Sequence, residues 1–178
     1  MAAHYGAGVE YALHSLLYLV DRSESARATS TRDLADLQLV PPEYLAKLFT
    51  RLQRAGITAS AEGIGGGVRF ARSPNQVSVL DVVHAIEGTK PLFACREIRR
   101  RCALFPERPA GEKIVEVCSI HAVMLEAQAK MEATLAGWTL QDIADRVNTK
   151  LPGEFTAGVA MWLDKRALQR GKNRKGSL

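Results

Sequence analysis

Apolar residues recur along most of this chain at helical spacing, and at one point they give way to short β-prone runs. Val9, Leu13, Leu16 and Val20 repeat at i, i+4, i+7 and i+11, which predicts a helix over 8–21 with one buried face. Residues 22–29 make a polar loop. Ser30-Thr31-Arg32-Asp33 then opens a short helix to about Leu39, with Ser30 as cap, Asp33 completing a capping-box-like arrangement, and Leu34 and Leu37 facing inward. Leu39-Val40-Pro41-Pro42 makes a turn into a second helix, where Leu45, Leu48, Phe49 and Leu52 form the apolar stripe and Glu43, Lys47, Arg51 and Arg54 lie off it. Gly56 ends that helix. The period then shortens: Ile57–Ala61 and Val68–Ala71 flank Gly63-Ile64-Gly65-Gly66-Gly67 and predict a hairpin with a glycine tip. Helix, turn, basic helix and hairpin in this order make a winged helix-turn-helix, in which the basic helix enters a DNA major groove and the hairpin lies over the backbone or the minor groove.

Beyond the hairpin, Ser78-Val79-Leu80-Asp81 caps a helix with core positions Val79, Val82, Val83 and Ile86, stopped by Gly88. Residues 89–118 have no clear period. From about Lys113 to Ala136, Ile114, Val117, His121, Met124, Gln128, Met131 and Leu135 alternate three and four apart, a coiled-coil-like seam that suits a dimer interface or packing against the first helix. Thr139-Leu140-Gln141-Asp142 caps a short helix to about Val147. Pro152, Gly153 and Gly158 loosen the chain after that helix, and another turn or two of helix is expected over Ala160–Leu168. The expected class is mainly α with a small β-wing: a winged helix-turn-helix domain over 1–88, a cysteine-bearing loop over 89–118, a dimerisation helix and a short helix over 113–148, and a basic, partly disordered extension over 149–178.

Charge refines this picture. The formal net charge is +5, but residues 165–178 hold six basic side chains and no acid, and the rest of the chain carries 18 Lys+Arg against 19 Asp+Glu. The body is therefore near neutral with local basic patches. Residues 41–72 carry five basic and two acidic side chains, a local excess that suits phosphate contact. The basic tail can add non-specific attraction to phosphate. No apolar run is long enough for a membrane span, the N-terminus lacks a signal pattern, and three cysteines argue against a disulfide framework, so a cytoplasmic location with reduced thiols is expected.

The cysteines are Cys95, Cys102 and Cys118, spaced C-x6-C-x15-C-x2-H with His121 last; Arg96, Arg99, Arg100 and Arg101 crowd between the first two. Nearby positive charge favours the thiolate, the form that binds metal or is oxidised. No standard zinc module has this spacing, and free cysteines also serve as small core residues. Glu10 and His14 stand one helical turn apart beside the buried face of the first helix, where they can reach one metal or form a surface acid–His pair. No nucleophile–base pair, phosphate-binding glycine loop or paired-carboxylate pattern is present, so an enzyme is not expected.

The stretches EYALHSLLYL, EYLAKLFTRLQRAGI, GIGGGVRFAR and VSVLDVVHAIEG, then a cysteine loop before a long helix, come in the order found in the Rrf-type (IscR/NsrR-like) winged-helix regulators, which the chain resembles over roughly 8–148. The resemblance implies a homodimeric transcription regulator acting as a repressor, each subunit binding half of a palindromic double-stranded DNA operator. Many members hold an iron–sulfur cluster in the cysteine loop, and others use the same cysteines as a thiol switch. Cys118 lies further downstream than the usual signature has it. Glu62 stands where cluster-bearing members often have a wing arginine, and Ala46-Lys47 replaces a Glu-Gln pair, so the operator is expected to be this protein's own.

The resemblance implies two alternative ligand sets. In the first, preferred set, one subunit supplies Cys102 and Cys118 and its partner supplies Glu10 and His14, as in members with a mixed-ligand [2Fe-2S] cluster. In the second, Cys95, Cys102, Cys118 and His121 serve together. The alternative is a cluster-free thiol/disulfide regulator of the same fold; a dimeric adaptor without DNA binding is a further contrast. Expected DNA contacts are Thr31 and Arg32, then Pro42, Glu43, Tyr44, Lys47 and Arg51 on the reading helix, with Arg69 from the wing.

Overall fold

The computed structural model describes residues 4–20, 22, 28–61, 66–98, 117–150 and 153–175, the last five as backbone only. Two compact units are present: Met1–Gly88 with Leu135–Leu178, and Thr89–Thr134. In the first unit the helices are α1 (Ala7–Val20), α2 (Thr31–Gln38), α3 (Pro42–Arg54), α4 (Val79–Glu87), α6 (Leu140–Lys150) and α7 (Gly153–Lys175). Strands β1 (Thr58–Ala61) and β2 (Gly67–Phe70) pair antiparallel, with Thr58 opposite Phe70 and Ala61 opposite Gly67. Helix α5 (Ser119–Ala136) lies mostly in the second unit. The expected mainly α architecture with a two-stranded wing is present.

The core of the first unit is built from the predicted stripes. Leu45, Leu48, Phe49 and Leu52 of α3 meet Leu16 of α1, Leu34 of α2 and Val82, Val83 and Ile86 of α4, all buried. Each such side chain contributes roughly 1.5–3 kcal/mol by leaving water. On α1 the buried set is Val9, Ala12, Ser15, Leu16 and Leu19, with Leu13 and Val20 half-buried, so the buried stripe is rotated slightly from the expected one. Gly8 explains how close α1 comes. A Cβ there would stand 3.0 Å from the Tyr44 hydroxyl and 3.3 Å from Leu48 Cδ2.

The expected caps form at Ser78 and Thr139; at α2 Ser30 caps the helix, but the Asp33 carboxylate pairs with arginines of α7 instead of completing a capping box. Ser30 Oγ accepts the Asp33 N–H at 3.0 Å, and Ser78 and Asp81 make a reciprocal capping box on α4. Thr139 and Asp142 do the same at α6: the Thr139 N–H donates to Asp142 Oδ2 at 2.9 Å, and Thr139 Oγ1 accepts the Asp142 N–H at 3.1 Å. These two capped starts are tied together, because Val79 N–H donates to the Trp138 carbonyl and Leu140 N–H to the Val77 carbonyl, each at 2.9 Å.

Two expectations are corrected. Helix α5 begins at Ser119, with Val117 and Cys118 before it and the Cys118 carbonyl accepting the Ala122 N–H as its first turn closes; residues 113–116 of the expected helix lie outside the described residues. The C-terminal extension is not a loose tail with a turn or two of helix. Residues 153–175 form the 23-residue helix α7, whose Leu163 and Ala167 are buried within the first unit. Arg166 and Arg170, in the part expected to be a loose basic tail, are paired. Arg166 Nε contacts Asp33 Oδ1 at 3.3 Å and Arg166 also pairs with Asp36; Arg170 pairs with Asp33 and donates to the Ala28 carbonyl at 3.0 Å. Arg22 meets Asp164 at 2.6 Å. Asp33, only 3% exposed at its side chain, has its carboxylate taken by these arginines while its N–H is capped by Ser30. A buried carboxylate needs such partners to stay charged.

Candidate nucleic-acid interface and sensor residues

Helix α2 ends at Leu39, which takes a left-handed backbone (φ 56°) and is 92% exposed; the next residue, Val40, returns its N–H to the Ala35 carbonyl at 3.0 Å. Pro41 and Pro42 then start α3 in the direction its buried stripe requires. Glu43, Ala46, Lys47 and Thr50 are exposed on the outer face of α3, Pro42 is half-buried, and Arg32 is exposed beside half-buried Thr31 at the start of α2. Arg69 is exposed on β2, opposite Ala59. The wing is held to α3 by Gln53 Nε2, which donates to Ser60 Oγ at 3.1 Å. It is held to the loop before α2 by Val68 N–H, which donates to the Thr29 carbonyl at 2.9 Å. Gly67 permits that second contact, since a Cβ on it would come within 2.7 Å of the Thr29 carbonyl oxygen.

Two expected DNA contacts, Tyr44 and Arg51, are exposed and also engage neighbouring helices. Arg51 Nη1 donates to the Ile86 carbonyl at 2.6 Å, tying α3 to the end of α4. The Tyr44 ring stands edge-on to the Tyr11 ring, with its hydroxyl toward Gly8 of α1. Periodicity put Arg51 on the outer side of α3 but could not show its bond to α4.

Glu10 and His14 are both exposed on α1 and line one open concavity with Tyr5, Ala7 and Leu13. In the second unit, Cys95 is half-buried with its thiol 3.8 Å from Glu97 Oε1. Cys118 is half-buried just before α5, and the His121 ring in the first turn of α5 lies 6.2 Å from the ring of Phe93. Cys102 and the wing tip at 62–65 lie outside the described residues. Among the described residues, no group of three or more His, Cys, Asp or Glu side chains is gathered as for a metal ion. Glu10 and His14 do offer a ready carboxylate–imidazole pair, and the thiols are a separate set, a donor chemistry that fits a cluster held by ligands from more than one source.

The family model of Rrf2, described as an iron-dependent transcriptional regulator, matches residues 5–146. The chain belongs to the Rrf2 family. It is a transcriptional regulator, and not an enzyme. One relative of this Rrf2 protein is the HTH-type transcriptional regulator NsrR of Shouchella clausii, 27% identical over 136 residues that span 75% of this chain and 83% of that one. Solved structures share the fold. CymR, the global cysteine regulator of B. subtilis, aligns with a TM-score of 0.62 at 20% identity over 82% of this chain and 98% of that one. T. potens IscR aligns with 0.63 at 19% over 88% and 98%. The family match stops before α7, and no helix among the described residues is long and apolar enough to cross a membrane.

Proposed function

We propose that this Rrf2 regulator is a homodimeric repressor whose affinity for a palindromic operator is controlled by a redox- or nitric-oxide-sensitive [2Fe-2S] cluster. The observation that carries this reading is the exposed Glu10–His14 pair, one turn apart in a single concavity of α1. Cys102 and Cys118 of one subunit, with Glu10 and His14 of the other, would hold the cluster; Cys95 and His121 are the second-choice ligands. The bound cluster would supply a one-electron couple, and nitrogen and oxygen ligands in place of thiolates raise its potential. Helix α1 packs on α3 through Gly8, Tyr11 and Tyr44, so a change in what Glu10 and His14 hold would reach the reading helix directly.

Thr31, Arg32, Pro42, Glu43, Lys47 and Arg69 are the proposed DNA contacts, with Tyr44 and Arg51 acting mainly by orienting α3. The exposed apolar residues of α5, Ile120, Val123 and Leu125, suit burial in a dimer. Half-buried Cys95, beside exposed Arg96, supports the second reading, a cluster-free thiol switch. Iron and acid-labile sulfide, measured with a visible spectrum after anaerobic purification, separate the two. Equal, near-stoichiometric iron and sulfide that fall on Glu10→Ala or His14→Ala substitution support the first ligand set. Iron-free protein that also fails anaerobic reconstitution moves the reading to the thiol switch.

A further inference from the structure

Helix α7 lies beyond the family match, and together with α1 and α6 it lines a partly open cavity of about 220 Å³. Leu17 and Tyr18 of α1, Val147 of α6 and Phe155 and Val159 of α7 form its apolar walls. Asn148 and Thr156 supply a polar edge, the Thr156 hydroxyl donating to Asn148 Oδ1 at 3.3 Å. Burial pushes the Tyr18 phenol up, so it stays a neutral hydroxyl. Arg22 also borders the cavity, but Asp164 already balances its charge.

The geometry points to an effector site here for a small uncharged molecule of one ring carrying one hydrogen-bonding group. Size sets the ring, because an apolar cavity of about 150 Å³ takes benzene, and the larger volume leaves room for a polar substituent. The polar edge takes that substituent. An ionised ligand would bury a charge with no free counter-charge, which is costly. Occupancy would hold α7 against α1 and α6. The same helix is ion-paired to α2 of the helix-turn-helix through Arg166 and Arg170, so bound ligand would favour one placement of α2. The proposal does not rest on the cluster reading, although the two sites share His14.

Calorimetric titration of the full chain with phenol, benzamide and benzoate tests the site. Phenol or benzamide should bind with a dissociation constant of about 1 mM or tighter. Benzoate should bind at least about tenfold more weakly. Ala160→Phe, which fills the cavity, should abolish binding. No heat from either neutral probe, equal binding of benzoate, or unchanged binding in the Ala160→Phe protein would each overturn the proposal. If circular dichroism shows that variant unfolded, Thr156→Val replaces it: loss of the hydroxyl at near-constant volume should weaken benzamide about fivefold, and unchanged binding overturns the site. The better probe should also shift affinity for operator DNA selected from a random pool at least about twofold. A shift of that size in the cavity-filled variant, or none in the parent, removes the effector role.

Discussion

The rings of Tyr11 and Tyr44 meet edge to face, with centroids 6.1 Å apart and planes at 89°. Tyr11 lies next to Glu10 in the chain, and Tyr44 is in the first turn of α3, so one aromatic contact joins α1, which carries the proposed cluster ligands, to α3, the proposed reading helix. Such pairs contribute about 0.5–1.5 kcal/mol beyond their burial. Tyr11→Leu keeps most of the buried volume and removes the edge-to-face contact. It should bring the operator affinities of cluster-loaded and cluster-free protein closer together, while Lys47→Ala should lower both alike. Fluorescence-anisotropy titrations in the two states measure the ratio; an unchanged ratio in the Tyr11→Leu protein would end the proposed route.

Lys47 and Arg51 are one turn apart on α3 but should behave differently. Lys47 is exposed, and Lys47→Ala should cost about 1–3 kcal/mol of operator binding with lost discrimination at one base pair if it reads a base, or a uniform loss with a smaller salt slope if it contacts phosphate. Arg51 caps the Ile86 carbonyl, so Arg51→Ala should cost about 1–3 kcal/mol of fold stability and leave base discrimination intact. Urea melts and binding selections on both variants would expose an Arg51 that instead reads a base.

Asp33 makes α7 part of the fold. Its buried carboxylate is met by Arg166 and Arg170, which lie more than 130 residues later in the chain. Truncation after Lys150 would leave that charge without its partners and remove buried Leu163 and Ala167, and should lower the melting temperature sharply; loss of one partner of a buried pair costs about 3–5 kcal/mol. Asp33→Asn in the truncated chain should restore part of the loss. Equal melting temperatures for the full and truncated chains would show that α7 does not support the helix-turn-helix.

The stripes of α3 and α4, the caps at Ser30, Ser78 and Thr139, and the wing were legible because each rests on local spacing or local hydrogen bonds. The role of α7 was not. Pro152, Gly153 and Gly158 read as breakers, and the cluster of Lys and Arg read as a loose basic tail, since only a contact with Asp33 and Asp36 across the fold gives Arg166 and Arg170 partners. Gly67 read as part of a flexible tip for the same reason: the carbonyl of Thr29 that excludes a side chain there comes from a different loop. The candidate site was legible by residue type. Which of its exposed side chains also hold a neighbouring helix, as Tyr44 and Arg51 do, depends on α1 and α4 and not on α3 itself.

Thr139 and Asp142 make the start of α6 sensitive to acid. The side-chain and backbone hydrogen bonds from Thr139 hold the Asp142 carboxyl below its ordinary value. A carboxylate whose pKa is lowered by folding binds fewer protons in the folded state than in the unfolded one. The stability it contributes is therefore full above the unfolded value of about 4 and is lost as the pH falls through the lower folded value. Asp142→Asn removes the ionisable group and should flatten this part of the acid limb, while lowering stability at neutral pH. Because this cap is pinned to the start of α4 by the Val79–Trp138 and Leu140–Val77 hydrogen bonds, loosening it should also weaken protection of the Val79 and Leu140 amides from exchange. Melting curves from neutral to acid pH, with hydrogen exchange at those two amides, test both parts. An Asp142→Asn protein whose stability falls with acid as steeply as the parent's would place the titrating group elsewhere.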